Sequence, residues 1–337
     1  MGWKRTILET ARRSGALGAV ARFYGRDRLT VLAYHRIIDH TTPRFASFAG
    51  NVSASPAEFA DQMHWVSENF SVVALTDVVA AIAGAPLPDR PLLITFDDGY
   101  RDNLDNALPV LRRLGLPGLM FVATTHIRTE EPFWWDRVAA AFVESGPGEA
   151  DLPILGPAHW AGDGAQTIAA RWIAAAKLLS DDEMRAAVDA LATVLGSSGQ
   201  SASGTVLGWD GVRALAAHGV AIGGHTRTHP ILTRVPAARA RDEIAGSKDD
   251  VEQELGAPAL GFAYPNGRPG DLDDAVVSAV GRAGYRAAFT LSPGPLRRRE
   301  LEREPLRVRR VYVHHGDGID RFAAKVAGIP RLSGILQ

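Results

Sequence analysis

The chain has 337 residues, enough for one large hydrophobic core or two modest ones. Hydrophobic residues make up 46% and charged residues 22%, a balance that argues against intrinsic disorder. The formal net charge of −1 disfavours a nucleic-acid partner, because phosphate binding usually needs a basic excess. The chain contains no cysteine, which excludes disulfides, thiolate metal sites and cysteine nucleophiles.

The first 28 residues are predicted to form an N-terminal helical segment. Glu9, Arg12, Arg13 and Arg22 interrupt its apolar residues, so the segment does not have the pattern of a secretory signal. No later stretch reaches the roughly 18 to 20 apolar residues that a membrane span needs. The pattern favours a helix packed on the domain, and a weak contact of this basic helix with an anionic membrane surface is the alternative. We therefore expect a cytoplasmic protein that is at most peripheral to the membrane.

From residue 29 onward, short apolar runs alternate with helical patterns. The sequence Ser55-Pro56-Ala57-Glu58 predicts a capped helix start. Other helices are expected near residues 76–84, 104–114, 209–217, 236–255 and 272–283. The strand candidates are residues 29–34, 71–75, 91–96, 118–124, 220–224, 259–264, 285–291 and 306–313. Continuous apolar strands that alternate with helices predict an α/β fold, either an open doubly wound sheet or a (β/α) barrel.

Residues 130–205 interrupt this alternation, because they contain no convincing strand. One helix is expected near Ile168 to Leu179, and a second begins at Ser180 and ends at Gly196. We interpret this segment as a helical insertion in a barrel domain of residues 29–329, followed by a tail at 330–337. Because the insertion follows a strand, we expect it to pack over the barrel mouth and to influence substrate choice.

Unusual polar residues follow several of the predicted strands. They are His35, Asp97 and Asp98, His225 and His229, and the run Tyr264-Pro265-Asn266. The carboxyl ends of parallel strands are where ligands and chemistry gather in such folds. These residues are therefore the candidates for a functional site.

Two of these groups suggest a metal ion. An isolated Asp97-Asp98-Gly99 is more often a turn with a helix cap. His225 and His229, if they lie on a helical turn, would share one face and could reach one ion. Two histidines and one carboxylate form a common metal-binding set that leaves coordination positions open. The two motifs together are therefore more specific than either one alone.

The combination resembles the NodB-homology polysaccharide deacetylases, also called carbohydrate esterase family four. Thr95–Gly99 and His225–His229 are similar to its first two motifs, Phe262–Gly267 to its third, and Gly284–Phe289 to a late strand. The resemblance covers roughly residues 29–125 and 205–315. It implies a distorted (β/α) barrel of about seven to eight strands, here with a helical insertion.

The resemblance also implies a reaction. Asp98, His225 and His229 would hold one divalent metal ion, usually zinc, which polarises the acetamide carbonyl and activates a water. Asp97 would be the general base, and the ion with a backbone N–H of Tyr264-Pro265-Asn266 would hold the oxyanion. The implied activity is a metal-dependent removal of N-acetyl groups from an amino-sugar glycan or glycan precursor, with release of acetate.

The sequence departs from the common family pattern in two places. The third motif often reads Arg-Pro-Pro-Tyr, whereas Ala263 stands at the Arg position and Asn266 at the Tyr position. Arg310 is our candidate to orient the base, and a plain surface charge is the alternative. The general acid is either His35 or His314. We prefer His35, because Ala33-Tyr34-His35-Arg36 resembles the N-terminal motif of the poly-N-acetylglucosamine deacetylase branch, where the barrel order is permuted.

Other functions remain open at the level of the sequence. The same barrel could carry an O-acetyl esterase, an amidase acting on a non-sugar amide, or an inactive carbohydrate-binding relative. The intact Asp97, Asp98, His225 and His229 argue against the inactive relative. The expected partner is an N-acetylated glycan, a cell-surface polymer repeat or a lipid-linked or nucleotide-linked sugar, and not a nucleic acid.

Overall fold

The computed structural model describes residues 2–25, 27–42, 45–161, 164–197 and 199–328. The strands in these residues are β1 (Arg28–Tyr34), β2 (Arg36–Ile37), β3 (Val52–Ala54), β4 (Ser71–Val72), β5 (Pro91–Phe96), β6 (Gly118–Val122), β7 (Gly148–Leu152), β8 (Gly156–Trp160), β9 (Val220–Gly224), β10 (Gly261–Ala263), β11 (Ala287–Pro293), β12 (Leu296–Arg297) and β13 (Val308–Tyr312).

Helices lie between most of the strands. They are α1 (Gly2–Arg13), α2 (Ala16–Tyr24), α3 (Pro56–Asn69), α4 (Leu75–Ile82), α5 (Leu108–Leu114), α6 (Thr124–Thr129), α7 (Trp134–Ser145), α8 (Gly164–Ala176), α9 (Asp181–Leu195), α10 (Trp209–Ala217), α11 (Ala237–Leu255), α12 (Asp274–Arg282), α13 (Arg298–Arg303) and α14 (Gly318–Val326). Among the described residues, no helix combines the length and the apolar character needed to cross a bilayer.

Seven parallel strands close into a barrel in the order β1-β13-β11-β10-β9-β6-β5, and β5 pairs back to β1. Strand β4 adds to the outside of β5 in parallel, and β12 pairs with the start of β1 in antiparallel fashion. The register of the closing pair runs from Thr30 opposite Leu92 to Tyr34 opposite Phe96. The barrel prediction is therefore confirmed, and the open doubly wound sheet is excluded.

Both faces of the barrel strands are buried, which explains their continuous apolar sequence. All six residues of β5 are buried. Leu92, Ile94 and Phe96 belong to the core shared with the surrounding helices, whereas Leu93 packs with the strand residues inside the barrel. Thr95, the next position on the face of Leu93, is a polar inward residue near the carboxyl end of the strand.

Residues 130–205 contain helices α8 and α9, as the sequence predicts, and also α7, which was not predicted. The expectation that this segment holds no strand is wrong, because β7 and β8 form an antiparallel hairpin. Their sequences, Gly-Glu-Ala-Asp-Leu and Gly-Pro-Ala-His-Trp, are poor in the β-branched residues that favour strands. Only Leu152 and Trp160 are buried, so the hairpin leaves little hydrophobic pattern in the sequence.

Helix starts were more predictable than strand lengths. Ser55 and Glu58 form the expected capping box of α3, and Ser180 forms the same motif with Glu183 at α9. The strand expected at 71–75 is shortened to β4, because α4 begins at Leu75. Helix α5 begins only at Leu108, after a π-helical turn.

The N-terminal segment consists of two helices, and Gly15 separates them with a φ of 78°. Helix α1 packs against α14, where Arg12 forms an ion pair with Asp320. The predicted tail at 330–337 lies outside the described residues.

Candidate active site

The polar residues that follow the strands line one cavity at the carboxyl end of the barrel. His35 follows β1, Asp97 and Asp98 follow β5, and His225 follows β9. These side chains line a cavity of about 560 Å³. A volume of this order is typical of sites that bind small molecules.

Asp98, His225 and His229 form a candidate metal-binding cluster among the described residues. The Oδ1 atom of Asp98 lies 3.4 Å from Nε2 of His225 and 3.3 Å from Nε2 of His229. Both carboxylate oxygens of Asp98 are buried and accept no hydrogen bond within the described residues. A buried charge without a partner is costly. One carboxylate and two imidazoles are a donor set that suits a divalent cation, so the cluster fits a metal ion.

His225 is held in the orientation that a metal ligand needs. Its Nδ1 lies 2.7 Å from the carbonyl oxygen of Ala263, so we assign the proton to Nδ1, which donates to that carbonyl. The lone pair of Nε2 then faces Asp98 and His229. On the other side, the His229 ring packs edge-on against Trp135, with 4.9 Å between ring centroids.

The expectation that His225 and His229 meet on a helical turn is wrong. Residues 225–229 form a loop after β9, and Thr226 and His229 have positive φ angles of 65° and 58°. The backbone N–H of His229 donates to Oγ1 of Thr226 at 3.0 Å. Glu243 on α11 accepts the N–H groups of Arg227 and Thr228 and so anchors the loop. The two imidazoles converge because the loop reverses direction.

Asp97 is held by Arg310. Nη1 and Nη2 of Arg310 donate to the two oxygens of Asp97 at 2.7 and 2.8 Å. Arg310 is 1% exposed, so it is not a surface charge. Burial acts to raise the pKa of Asp97, but the charge of Arg310, followed by those of His225 and His35, holds that pKa below its ordinary value. Asp97 is therefore ionised at neutral pH and can accept a proton.

Of the two candidate acids, His35 lies in the cavity and His314 does not. Nε2 of His35 is 3.9 Å from Oδ2 of Asp97. His314 stacks on His315 with 4.0 Å between ring centroids, and its Nδ1 accepts the N–H of Gly316 at 3.2 Å. Burial lowers the pKa of His35, although the carboxylates of Asp98 and Asp97 act in the opposite direction. The geometry favours His35 for contact with a substrate.

The third motif contributes less than the sequence suggested. The backbone N–H of Tyr264 donates to the carbonyl of Phe289, and its phenol donates to the carbonyl of Leu306. Pro265 has no N–H, and neither of the two lines the cavity. Tyr264 and Pro265 therefore offer no free backbone N–H to this cavity. Asn266 does line the cavity. Of the three residues, it alone has a backbone N–H without an acceptor among the described residues.

The insertion supplies cavity residues that sequence reasoning missed. Trp135 on α7 and Lys177 after α8 lie on the cavity wall, and Tyr312 at the end of β13 lies beside His35. Nε1 of Trp135 donates to the hydroxyl of Tyr100 at 2.8 Å, which fixes the indole. Trp135 packs in the core and also faces the cavity. The position of the insertion agrees with the expectation that it covers the mouth.

Comparison with known proteins identifies the family. Residues 84–150 and 162–288, more than half of the chain, match the polysaccharide deacetylase family. The chain belongs to this family. YxkH of Bacillus subtilis (strain 168), which carries a polysaccharide deacetylase name, is 21% identical over 269 residues, 79% of this chain and 66% of its own length.

Two further proteins are similar. Poly-beta-1,6-N-acetyl-D-glucosamine N-deacetylase of Staphylococcus epidermidis is 28% identical over 112 residues, 31% of this chain and 39% of the relative. The chain therefore spans less than two thirds of the length of either curated relative. The Streptococcus pyogenes deacetylase PplD, solved in complex with acetate, superposes with a TM-score of 0.60. The alignment covers 89% of this chain and 99% of PplD at 16% identity, which shows the fold.

Proposed function

We propose that the protein is a metal-dependent hydrolase that removes N-acetyl groups from an amino-sugar glycan or glycan precursor and releases acetate. One observation carries the proposal. In a single cavity, a cluster suited to a divalent ion lies beside an ionised carboxylate, Asp97, that a buried arginine holds in place. Membership of the polysaccharide deacetylase family supports the same reaction class.

Asp98, His225 and His229 would hold the ion, and we propose zinc because the ligands are two imidazoles and one carboxylate. When bound, such an ion polarises a carbonyl oxygen and makes a bound water more acidic. Asp97 takes the proton from the attacking water. Arg310 keeps Asp97 charged and fixes the plane of its carboxylate through the two hydrogen bonds.

The water oxygen forms a bond to the acetyl carbon, and the bond between that carbon and nitrogen then breaks. His35 gives a proton to the departing nitrogen, so that the product is an amine rather than an amide anion. The backbone N–H of Asn266 is our candidate donor to the oxygen that becomes negatively charged during attack. The products are acetate and a free amino sugar.

A substrate screen tests this proposal. The metal-loaded protein is incubated with matched N-acetylated and O-acetylated glucosamine oligomers, and released acetate is measured. We expect release from the N-acetylated series. Release only from the O-acetylated series would show an esterase and overturn the proposal. The metal-loaded Asp97→Asn variant is the control for acetate that arises without the site.

The substrate carrier and the location stay predictions. A lipid-linked or nucleotide-linked sugar is the partner that we favour over a cell-surface polymer repeat, for the reason argued from the cavity charges below. The cytoplasmic location and the weak contact of the N-terminal helix with a membrane surface follow from the sequence pattern alone.

A further inference from the structure

Three cations line the candidate active-site cavity without a carboxylate partner. They are Lys177 after α8, Arg234 in the loop after β9 and Arg268 after β10. None of them lies within 4.0 Å of a carboxylate among the described residues. The Nζ atom of Lys177 donates to Oδ1 of Asn266 at 3.2 Å, and Nη1 of Arg234 donates to the carbonyl of Leu179 at 3.4 Å. Both acceptors are neutral.

The carboxylates of the same cavity are already engaged. Asp97 is paired with Arg310, and Asp98 belongs to the candidate metal cluster. Asp271, the third carboxylate on the cavity wall, accepts hydrogen bonds from Nδ2 of Asn266 at 2.6 Å and from the backbone N–H of Arg268 at 3.0 Å. Both donors to Asp271 are neutral, so Asp271 keeps its negative charge and offsets one of the three cations.

Once Asp97 is paired with Arg310 and Asp98 is assigned to the candidate metal cluster, the cavity carries more positive than negative formal charge. The whole chain has a formal net charge of −1, so the cations do not reflect a basic composition. With a divalent ion in the candidate cluster, the positive charge of the cavity increases further. Burial first and the charge of Arg268 second lower the pKa of Lys177, although the carboxylates of Asp98 and Asp271 act in the opposite direction. A concave, positively charged site attracts and retains anionic ligands.

We propose that Lys177, Arg234 and Arg268 form a subsite for a phosphate group on the substrate. This proposal rests on the proposed function and deepens it, because it assigns the substrate to the N-acetylated amino sugars that carry a phosphate ester. The three side chains come from three separate segments of the chain and surround a common space. A tetrahedral phosphate offers several oxygens to such an arrangement, and the planar guanidinium groups bind phosphate oxygens in pairs.

The position of the cations sets where the phosphate lies. Lys177 and Arg234 also line a second, mostly apolar pocket between the insertion and the loop after β9, together with Trp134 and Met184. The phosphate would thus bind where the metal-binding cavity meets this pocket. The lipid or nucleoside attached to the phosphate would extend away from the metal cluster, towards this second pocket.

Binding measurements test the subsite without relying on turnover. The metal-loaded Asp97→Asn variant, used so that the ligand is not consumed, is titrated calorimetrically with N-acetylglucosamine 1-phosphate and with N-acetylglucosamine. We expect the phosphate to tighten binding by about 10-fold or more, since hydrogen bonds to charged groups are strong. We expect Lys177→Met or Arg234→Gln, each added to that variant, to remove about 10-fold of the preference.

Arg171→Gln is the matched control. Arg171 lies on α8 near Lys177, is exposed, and lines neither cavity. Its substitution removes the same charge and should leave the preference intact. Equal binding of the two sugars would overturn the proposal. So would a preference that survives substitution of Lys177, Arg234 and Arg268, because the phosphate would then be bound by the metal ion.

Two esters distinguish the sources of the phosphate. A uridine diphosphate ester and a short polyprenyl phosphate ester of N-acetylglucosamine are titrated in the same way. A preference for either over the free sugar, lost in Lys177→Met, supports the subsite and identifies the carrier. No preference for either overturns it. Acetate release from neutral and phosphorylated sugars at equal kcat/KM would overturn the subsite but not the proposed function. Phosphate-dependent binding without any acetate release would contradict the proposed function and leave the subsite in place.

Discussion

Arg310 binds Asp97 through two parallel hydrogen bonds inside the barrel. Arg310 lies on β13 and Asp97 follows β5, and both strands are neighbours of β1. Nη1 of Arg310 also donates to Thr95, and its Nε donates to the carbonyl of Thr290. Four guanidinium hydrogen bonds to three residues therefore hold Arg310 against Asp97. An ionised carboxylate in a fixed plane is the direct consequence.

Removing this arginine should destabilise the fold and stop turnover. We expect Arg310→Met to cost about 3–5 kcal/mol in the free energy of unfolding, because Asp97 is then a buried charge without its partner. Urea unfolding measures the change. Arg309→Met is the matched control, since Arg309 is partly exposed and pairs with Glu300 at the surface, and it should cost about 1 kcal/mol or less. Equal losses in the two variants would show that Arg310 has no special role.

Removing the proton acceptor should stop the reaction and leave the metal ligands in place. Asp97→Asn preserves the shape of the side chain but cannot take the water proton, so turnover should fall by ~10² to 10⁴-fold. Metal content, measured by elemental analysis, should stay at the wild-type value. Near wild-type turnover in Asp97→Asn would make Asp97 a turn residue only.

The metal cluster should bind one ion per chain. After chelation and reloading with zinc, elemental analysis should give about one bound ion per protein. We expect the combined His225→Ala and His229→Ala variant to lose it, because only Asp98 remains as a ligand. His315→Ala, a change of the same kind outside the cavity, should keep the ion. Full binding by the double variant would refute the assignment.

His35 should control the alkaline side of the pH profile. A general acid must carry its proton, so activity that depends on His35 falls as pH rises through its pKa. Burial lowers this pKa from 6.5, and a bound cation acts in the same direction, so the fall in kcat/KM should be centred below pH 6.5. His35→Ala should lower turnover by ~10²-fold or more and remove this limb.

His314→Ala tests the alternative acid. His314 lies outside the cavity, so its substitution should leave the pH profile unchanged. A pH profile changed by His314→Ala and unchanged by His35→Ala would assign the acid to His314. The assignment of the metal cluster would not be affected.

The sequence pattern was sufficient for an α/β fold and for the residues that follow its strands, because both depend on local pattern. The choice of a barrel over an open sheet came from the family resemblance. Continuous apolar runs mark strands that are buried on both faces, and Asp98 and His225 follow such runs directly. The loop geometry at His229 was not predictable. The positive φ angles fall on Thr226 and His229, and no glycine marks these positions in the sequence.

Contacts between segments that are distant in the sequence could not be predicted either. Nothing in the run Arg307-Val308-Arg309-Arg310 distinguishes the buried arginine from its neighbours, because burial depends on which strand face points into the barrel. The β7–β8 hairpin was missed since its residues have weak strand propensity. Lys177, Arg234 and Arg268 lie far apart in sequence, and only the fold brings them to one cavity.

The most direct test of the central claim measures acetate and primary amine in one reaction. The metal-loaded protein is incubated with an N-acetylated glucosamine oligomer, and both products are followed with time. Hydrolysis of an acetamide gives one amine for each acetate, so the two should appear in equal amounts and should both stop in Asp97→Asn. Acetate without amine, from this or any acetylated sugar, would contradict the assignment of the protein as an N-deacetylase.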